Sequence, residues 1–504
     1  MAARLPDCLT PRTSDPSWRP PLDELDLAVR LETEGVTDEV ARSMHGYAST
    51  LDMAEACFPS LAISAAAPPP PAASLPAWRE WLRGTVFAVP MLLCALSRLT
   101  LGVSLWGGDL SPDLASAVAI ATVASLVVTG GFVQAMSRRA MFYLGAQNFP
   151  AAAALVRAWG LAGVTALLST ALAGLAANLV FAWLPGALAL HTAAFFVLLG
   201  LLWLACGGLY LVNRASWIGG ATVLGIAVVA MLHRGLGWPL HNAQLGGVAA
   251  AVTLALAGGF TWFRARTQGA VAASFVAPAR ELFLAAPYFA YGAAYYLFLF
   301  ADRLIAWTAH TNAAALPVQF RGDYETALDL AMAAFVIQTG WVQASLASFH
   351  RHVECIQRAL PAGEYERFNS ALRSFYGWRM ARIGSFGFAT SGLVYFLVAR
   401  YELLPFANMR PVLAIALLAY PVVVAGLWNA SLLFTLGQPL PVVASVSLGA
   451  VASLSGGYLV SRTGSYEAAV VGFLAGAFLF AAISCLAVLR SFQKLDRHYF
   501  ASAL

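Results

Sequence analysis

Charge is scarce in this chain. Only 11% of its 504 residues are acidic or basic, 60% are hydrophobic, and the mean hydropathy is +0.71. A water-soluble surface carries roughly 25–35% charged positions, so a soluble enzyme is excluded and an integral membrane protein indicated. Lysine is nearly absent: Lys494 stands alone among the 30 basic residues, a pattern of coding bias more than of chemistry. The arginines are scattered through short loops with no basic face interleaved with aromatics, so the net charge of +5 does not point to nucleic acid. Cysteine is limited to Cys8, Cys57, Cys94, Cys206, Cys355 and Cys485, with no CxxC pair. They read as small core residues and not as a disulfide or zinc framework. There is no HExxH, no Walker A and no usable GxSxG, which removes zinc protease, ATPase and serine hydrolase chemistry. No cofactor or metal is expected. The first 14 residues hold no apolar stretch, so no cleavable signal peptide is expected and the first span doubles as the insertion signal.

What is present is a series of long apolar runs. Windows of about 20 residues, the length that crosses ~30 Å of hydrocarbon, number twelve: 85–106, 114–136, 158–184, 190–212, 217–233, 243–263, 282–307, 325–349, 383–399, 412–435, 441–460 and 468–489. The fold class expected is therefore all-α and integral to the membrane. Val133-Gln134-Ala135 closes span 2 and Val342-Gln343-Ala344 closes span 8, and each runs on into an Arg-rich stretch. A six-helix unit used twice, 81–281 and 282–504, is the signature of an alternating-access transporter.

Ahead of these spans, residues 1–61 form an expected small acidic helical module. Eleven of the 25 acidic residues lie within the first 60 positions. Leu22, Leu25 and Val29 share one helical face, Gly35 is placed to stop that helix, and Thr37 and Ser49 are placed to cap the next two. A linker at 62–80 contains AAAPPPPAAS, a stiff extended composition.

Orientation follows from arginine. With the N-terminus inside, eighteen basic residues fall on cytoplasmic loops and flanks against five on the other side, Arg234, Arg321, Arg400, Arg410 and Arg462. The positive-inside rule puts both termini in the cytoplasm. The largest cytoplasmic loop, 350–382, has an amphipathic pattern in Tyr365, Phe368, Leu372 and Phe375 that suits a helix along the membrane surface, or else a solvated basic linker. The stretch 138–157 is its counterpart in the first half.

An ionised group within a span costs about 2.5–3.5 kcal/mol on insertion scales and needs a partner or a watery cavity. The candidates are Arg98 in span 1, Asp302 and Arg303 in span 7 and Asp329 in span 8. Ser97-Arg98-Leu99 aligns with Asp302-Arg303-Leu304, which would set two arginines face to face across the repeat. They either line a central cavity for an anionic or polyhydroxylated substrate, with Asp302 and Asp329 as counter-charges or proton carriers, or form a structural pair near the outer face. Span 7 is dense in aromatics, with Tyr291, Tyr295 and Tyr296 among them. Tyrosine stacks on sugars and hydrogen-bonds them, while the same spacing also suits lipid-facing or core packing. Pro90 and Pro287 are placed to kink spans 1 and 7, and Gly340 to loosen span 8.

From about Trp81 to Asp496 the chain resembles the multidrug/oligosaccharidyl-lipid/polysaccharide (MOP) flippase superfamily. Within it the likeness is to the membrane subunit of the Pel exopolysaccharide exporter. Pro287-Tyr288-Phe289-Ala290-Tyr291-Gly292, Tyr296 to Leu304, and Asp323-Tyr324-Glu325 carry the likeness. The resemblance implies a V-shaped, MATE-like transporter of twelve helices moving a polysaccharide across the bacterial inner membrane. It also implies a cytosolic nucleotide-sugar glycosyltransferase and other export subunits as partners, and adds Asp323, Tyr324 and Glu325 to the substrate path. The acidic N-terminal module departs from that family.

The reading is export of a polysaccharide or lipid-linked glycan, without catalysis. A cation-coupled small-molecule antiporter is the rival of the same fold, and the lack of carboxylates deep in spans 1–6 counts against it. A membrane glycosyltransferase would depend on Asp109 or Asp113, which sit in a loop too short to hold an acceptor. A non-transporting scaffold is the third rival.

Overall fold

A computed structural model describes residues 23–33, 36–64, 76–85, 89–145, 147–267, 278–309, 316–359 and 364–495. They form helices, with no strand among the described residues, and divide at Pro76 into two compact units.

The first unit holds α1 (Glu24–Thr33), α2 (Asp38–Met44) and α3 (Thr50–Ser64). Thr37 caps α2 through the Val40 amide, and the Ser49 hydroxyl accepts from the Asp52 amide at the start of α3. Asp38 also accepts from the Thr50 amide at 2.7 Å, tying the two helix starts together. The buried face of α1 is Leu27, Ala28 and Leu31; Leu25 and Val29 are exposed, one step round from the face expected. Leu22, Gly35 and the Pro-rich part of the linker lie outside the described residues.

The second unit begins with α4 (Ala77–Thr85) and α5 (Val89–Leu101), which meet at 71°. Then follow α6 (Pro112–Gly145), α7 (Phe149–Phe181), α8 (Gly186–Leu211), α9 (Ala215–Ala230) and α10 (Leu240–Thr267). The second half comprises α11 (Pro278–Leu299), α12 (Ala301–Thr308), α13 (Gly322–Ala359), α14 (Tyr365–Arg400), α15 (Arg410–Thr435), α16 (Pro439–Thr463) and α17 (Ala469–Ser491). Among the described residues eleven helices are long and apolar enough to cross a membrane, and the bent pair α4 and α5 makes a twelfth. Each half has its own apolar core: Phe195, Leu199 and Ile226 in the first, Trp428, Phe473 and Phe480 in the second.

Several expectations change. Span 1 bends where Pro90 is placed to kink it, but as a full break into two helices, with Pro90 in the first turn of the second. Span 7 keeps Pro287 inside α11, yet the chain leaves the helix at Phe300 (φ −112°, ψ 10°), thirteen residues later. The segment 365–375 is no surface helix. It is the first part of the continuous 36-residue α14, whose Phe368, Leu372 and Tyr376 are buried against the second-half core. Likewise α6 and α7 run through most of 138–157. Among the cysteines, Cys57, Cys94 and Cys206 are buried, but Cys355 is exposed; Cys8 is outside the described residues.

The halves meet along two equivalent contacts. In α6, a methyl placed on Gly131 would lie 2.8 Å from the Phe289 ring and 2.9 Å from its carbonyl oxygen. In α13, a methyl on Gly340 would lie 2.7 Å from both the Trp81 ring and its carbonyl oxygen. Gly131 and Gly340 have the spacing of the Val-Gln-Ala pair. The partner helices repeat the pattern, with Gly292 packed on the Gly130 carbonyl and Gly84 on the Gly340 backbone. Gly340 therefore does not loosen α13, which is unbroken there; it admits Trp81, whose indole donates to the Ile337 carbonyl at 3.0 Å.

Candidate functional site

The break at Phe300 creates the site. It detaches α12 from α11, so Asp302 and Arg303 sit in the first turn of a short helix, where unpaired amides favour a carboxylate. The far end of α12 is held by arginines: Arg462 donates to the Thr308 carbonyl at 2.9 Å and Arg321 to that of Ala309 at 3.0 Å.

Arg303 joins α12 to α13. Its Nε lies 3.2 Å from Glu325 Oε2 and its Nη2 3.3 Å from Asp329 Oδ1. The two carboxylates differ in surroundings. The Glu325 side chain is 9% exposed and also accepts from the Trp307 indole at 2.8 Å, while that of Asp329 is 60% exposed. Arg303 itself is 7% exposed and rests over the Phe300 ring. Arg98, in the last turn of α5, is exposed and within Coulombic reach of Asp329.

Asp302 is not the partner of Arg303 that the sequence suggests. Among the described residues its carboxylate forms no ion pair; it accepts from the Tyr324 hydroxyl at 3.1 Å. The charge that neutralises Arg303 in the interior comes from Glu325. Asp323 is apart from this cluster, bonded to the Tyr466 hydroxyl. Counted together, Arg98 and Arg303 face Asp302, Glu325 and Asp329, two cations against three carboxylates.

Of the tyrosines of α11, Tyr296 reaches the first half, while Tyr291 is buried in the core of the second. Tyr291 and Tyr295 stack at 5.8 Å, Tyr295 meets Tyr296 edge-on at 5.3 Å, and Tyr291 packs on Phe434 of α15. The Tyr296 ring fills the space over Gly130. Among the described residues none of these three hydroxyls has a protein hydrogen-bond partner, and none is cut off from the surface. Buried Tyr420 packs on Phe335 and Phe473 in the core that also holds Tyr295.

Trp307, Tyr420 and Tyr466 escaped the sequence reading. Trp307 carries a signal, since it follows Arg303 by four residues and shares its helix face. Tyr420 and Tyr466 carry none, because each reaches its neighbours, Tyr466 those around Asp323, only by tertiary packing.

No family description and no curated protein matches the sequence. Solved structures do match the fold. A crystal structure of a MATE point mutant is similar over 84% of this chain and 97% of that one, with a TM-score of 0.57 and 14% identity. An outward-facing multidrug resistance MATE family transporter of the MOP superfamily matches over the same shares, at a TM-score of 0.55 and 15% identity. A MOP superfamily transporter from Pyrococcus furiosus, described with a binding pocket of reverse polarity, covers 83% of this chain and 97% of its own, at a TM-score of 0.55 and 15% identity. The chain thus has the all-helical, multi-span membrane fold seen in MATE transporters of the MOP superfamily.

Proposed function

We propose that this chain is an alternating-access transporter exporting a polysaccharide or lipid-linked glycan across a bacterial cytoplasmic membrane, with both termini in the cytoplasm. The observation that carries the substrate class is the run Tyr291, Tyr295 and Tyr296. Tyr295 and Tyr296 are half-buried with unpartnered hydroxyls, Tyr296 lies against the first half and Tyr291 backs them from the core, and sugars need apolar stacking beside hydrogen-bond donors. The matched glycine contacts support rocking of one half on the other, because close backbone packing permits pivoting without dragging long side chains. The likeness to the Pel exporter subunit supports the same cargo, with a cytosolic nucleotide-sugar glycosyltransferase and further export subunits as partners. Asp109 and Asp113 are exposed loop and helix-start residues, which supports a path without a bond-forming site.

One observation favours the antiporter. The excess carboxylate in the Arg303 cluster leaves room for a proton, and the solved neighbours include a multidrug transporter.

The two readings part in one experiment. Tyr295→Phe and Tyr296→Phe keep the rings and remove only the hydroxyls. Secreted glycan, measured by lectin binding against membrane abundance of the protein, should fall several-fold per variant, as the loss of a ~0.5–1.5 kcal/mol hydrogen bond implies. Efflux of a cationic dye should not change. Normal glycan secretion with impaired dye efflux would give the function to the antiporter.

A further inference from the structure

The second half carries a group of arginines and indoles that the transport reading does not use. Between α13 and α14 lies a cavity of about 310 Å³ lined by Trp341, Trp378, Ala381, Arg382, Ser385 and Phe386. Its depth follows from the helices. Trp341 is 19 residues from the Gly322 start of α13, and Arg382 is 18 from the Arg400 end of α14. At ~1.5 Å per residue both sit about 27–29 Å from the Arg-poor end, which is the opposite boundary of a ~30 Å hydrocarbon layer.

Apart from the Ser385 hydroxyl, the polar side-chain groups here are donors only. The Arg382 guanidinium lies 4.2 Å over the Trp378 ring, and Arg379 covers Phe375 at 5.2 Å. Among the described residues neither arginine pairs with a carboxylate, and Arg351 adds a third positive charge near Arg379. Arg379 Nε and Trp341 Nε1 are buried with no hydrogen-bond partner among the described residues. Snorkelling would explain arginines whose heads reach water, but not the unpartnered Trp341 N–H on the facing helix. Nor is this a shared feature of the repeat, since α7, the corresponding helix of the first half, contains Arg157 as its one arginine.

We propose that this cavity binds the phosphate of a lipid headgroup in the leaflet at the Arg-rich end. The Arg382 guanidinium and the unpaired Trp341 N–H, both from residues of the cavity lining, suit phosphate oxygens, which accept charge-assisted hydrogen bonds, and Arg379 adds positive charge one turn away. A lipid is favoured over a free anion because Trp378 is 56% exposed and the walls are otherwise aromatic and apolar, so acyl chains can lie along α14 beside the headgroup. Two lipids share this chemistry: an anionic phospholipid of the bulk membrane, and a polyprenyl diphosphate of the kind that carries glycans. The proposal concerns binding and stands whether the cargo is a glycan or a small cation.

The test uses delipidated full-length protein in detergent. It would be titrated with dioctanoyl phosphatidylglycerol, dioctanoyl phosphatidylcholine, a short-chain polyprenyl diphosphate and inorganic pyrophosphate, with adducts counted by native mass spectrometry. Tighter binding of phosphatidylglycerol assigns the site to bulk lipid, and tighter binding of the polyprenyl diphosphate assigns it to a carrier. The double variant Arg379→Gln/Arg382→Gln should weaken either by roughly 10-fold or more. Trp341→Phe, which keeps an aromatic ring and loses the N–H, should weaken it about 3- to 10-fold and decides the matter if the double variant does not fold. Lipid affinity unchanged in Trp341→Phe, or binding of pyrophosphate alone, would overturn the proposal.

Discussion

Arg303 binds two carboxylates that the structure treats differently, and removing them one at a time separates stability from function. In Glu325→Gln the side chain keeps its shape and an oxygen for the Trp307 indole, but Arg303 loses its buried counter-charge. With both side chains under a tenth exposed, breaking such a pair costs about 3–5 kcal/mol, because an uncompensated guanidinium stays in low dielectric. In Asp329→Asn the lost partner is 60% exposed, and solvent-screened pairs contribute about 0–1 kcal/mol. Thermal unfolding of purified protein in detergent should therefore show a midpoint several degrees lower for Glu325→Gln and almost unchanged for Asp329→Asn. Transport should follow a different order. Asp329→Asn should impair it at near-normal stability, since that exposed carboxylate pairs with Arg303 and is within Coulombic reach of Arg98 of the opposite half. Salt should add to the contrast by screening the exposed pair and leaving the buried one. Equal midpoints for the two variants would refute the division of labour.

The glycine contacts make a paired prediction: Gly131→Ala and Gly340→Ala each place a methyl 2.7–2.8 Å from a neighbouring ring. Relief to ordinary contact needs roughly 0.7 Å of separation, at a typical overpacking cost of ~1–3 kcal/mol. Both should lower the thermal midpoint and shift spin-label distances between the halves alike, and an effect at only one position would break their equivalence. In the N-terminal unit, hydrogen bonds from the Thr50 backbone and side chain hold the Asp38 carboxyl below its ordinary value. A depressed folded value means that its stabilising contribution is present above the unfolded pKa of about 3.9 and is lost as pH falls through the folded value. The Thr50 amide, followed by NMR in the full chain, should titrate with a midpoint below that unfolded value; a midpoint at or above it would refute the contact.

The spans and the repeat were legible because they are local properties. A run of apolar residues meets the hydrocarbon requirement whatever it packs against, and Val133-Gln134-Ala135 announces its second copy by wording alone. Thr37 and Ser49 were legible for the same reason, since a cap acts over three residues. Arg303 and Asp329 could be singled out because charge inside a span is costly anywhere. What pairs with that charge was decided by the tertiary structure. Glu325 lies 22 residues from Arg303 across a loop, and only the packing of α12 on α13 brings it within 3.2 Å while Asp302, the chain neighbour, turns to Tyr324. The break at Phe300 has no proline or glycine to announce it, and it persists through contacts such as Phe298 on Phe473 and Phe480 and Arg303 on Phe300. Tyr365, Phe368, Leu372 and Phe375 have the period of a surface helix, but that period states only that one face is apolar. The burial of Phe368 and Leu372 shows that protein takes that face instead of lipid. Gly340 reads in isolation as weakness in a helix. Beside Trp81 it is the space that allows the two halves to meet.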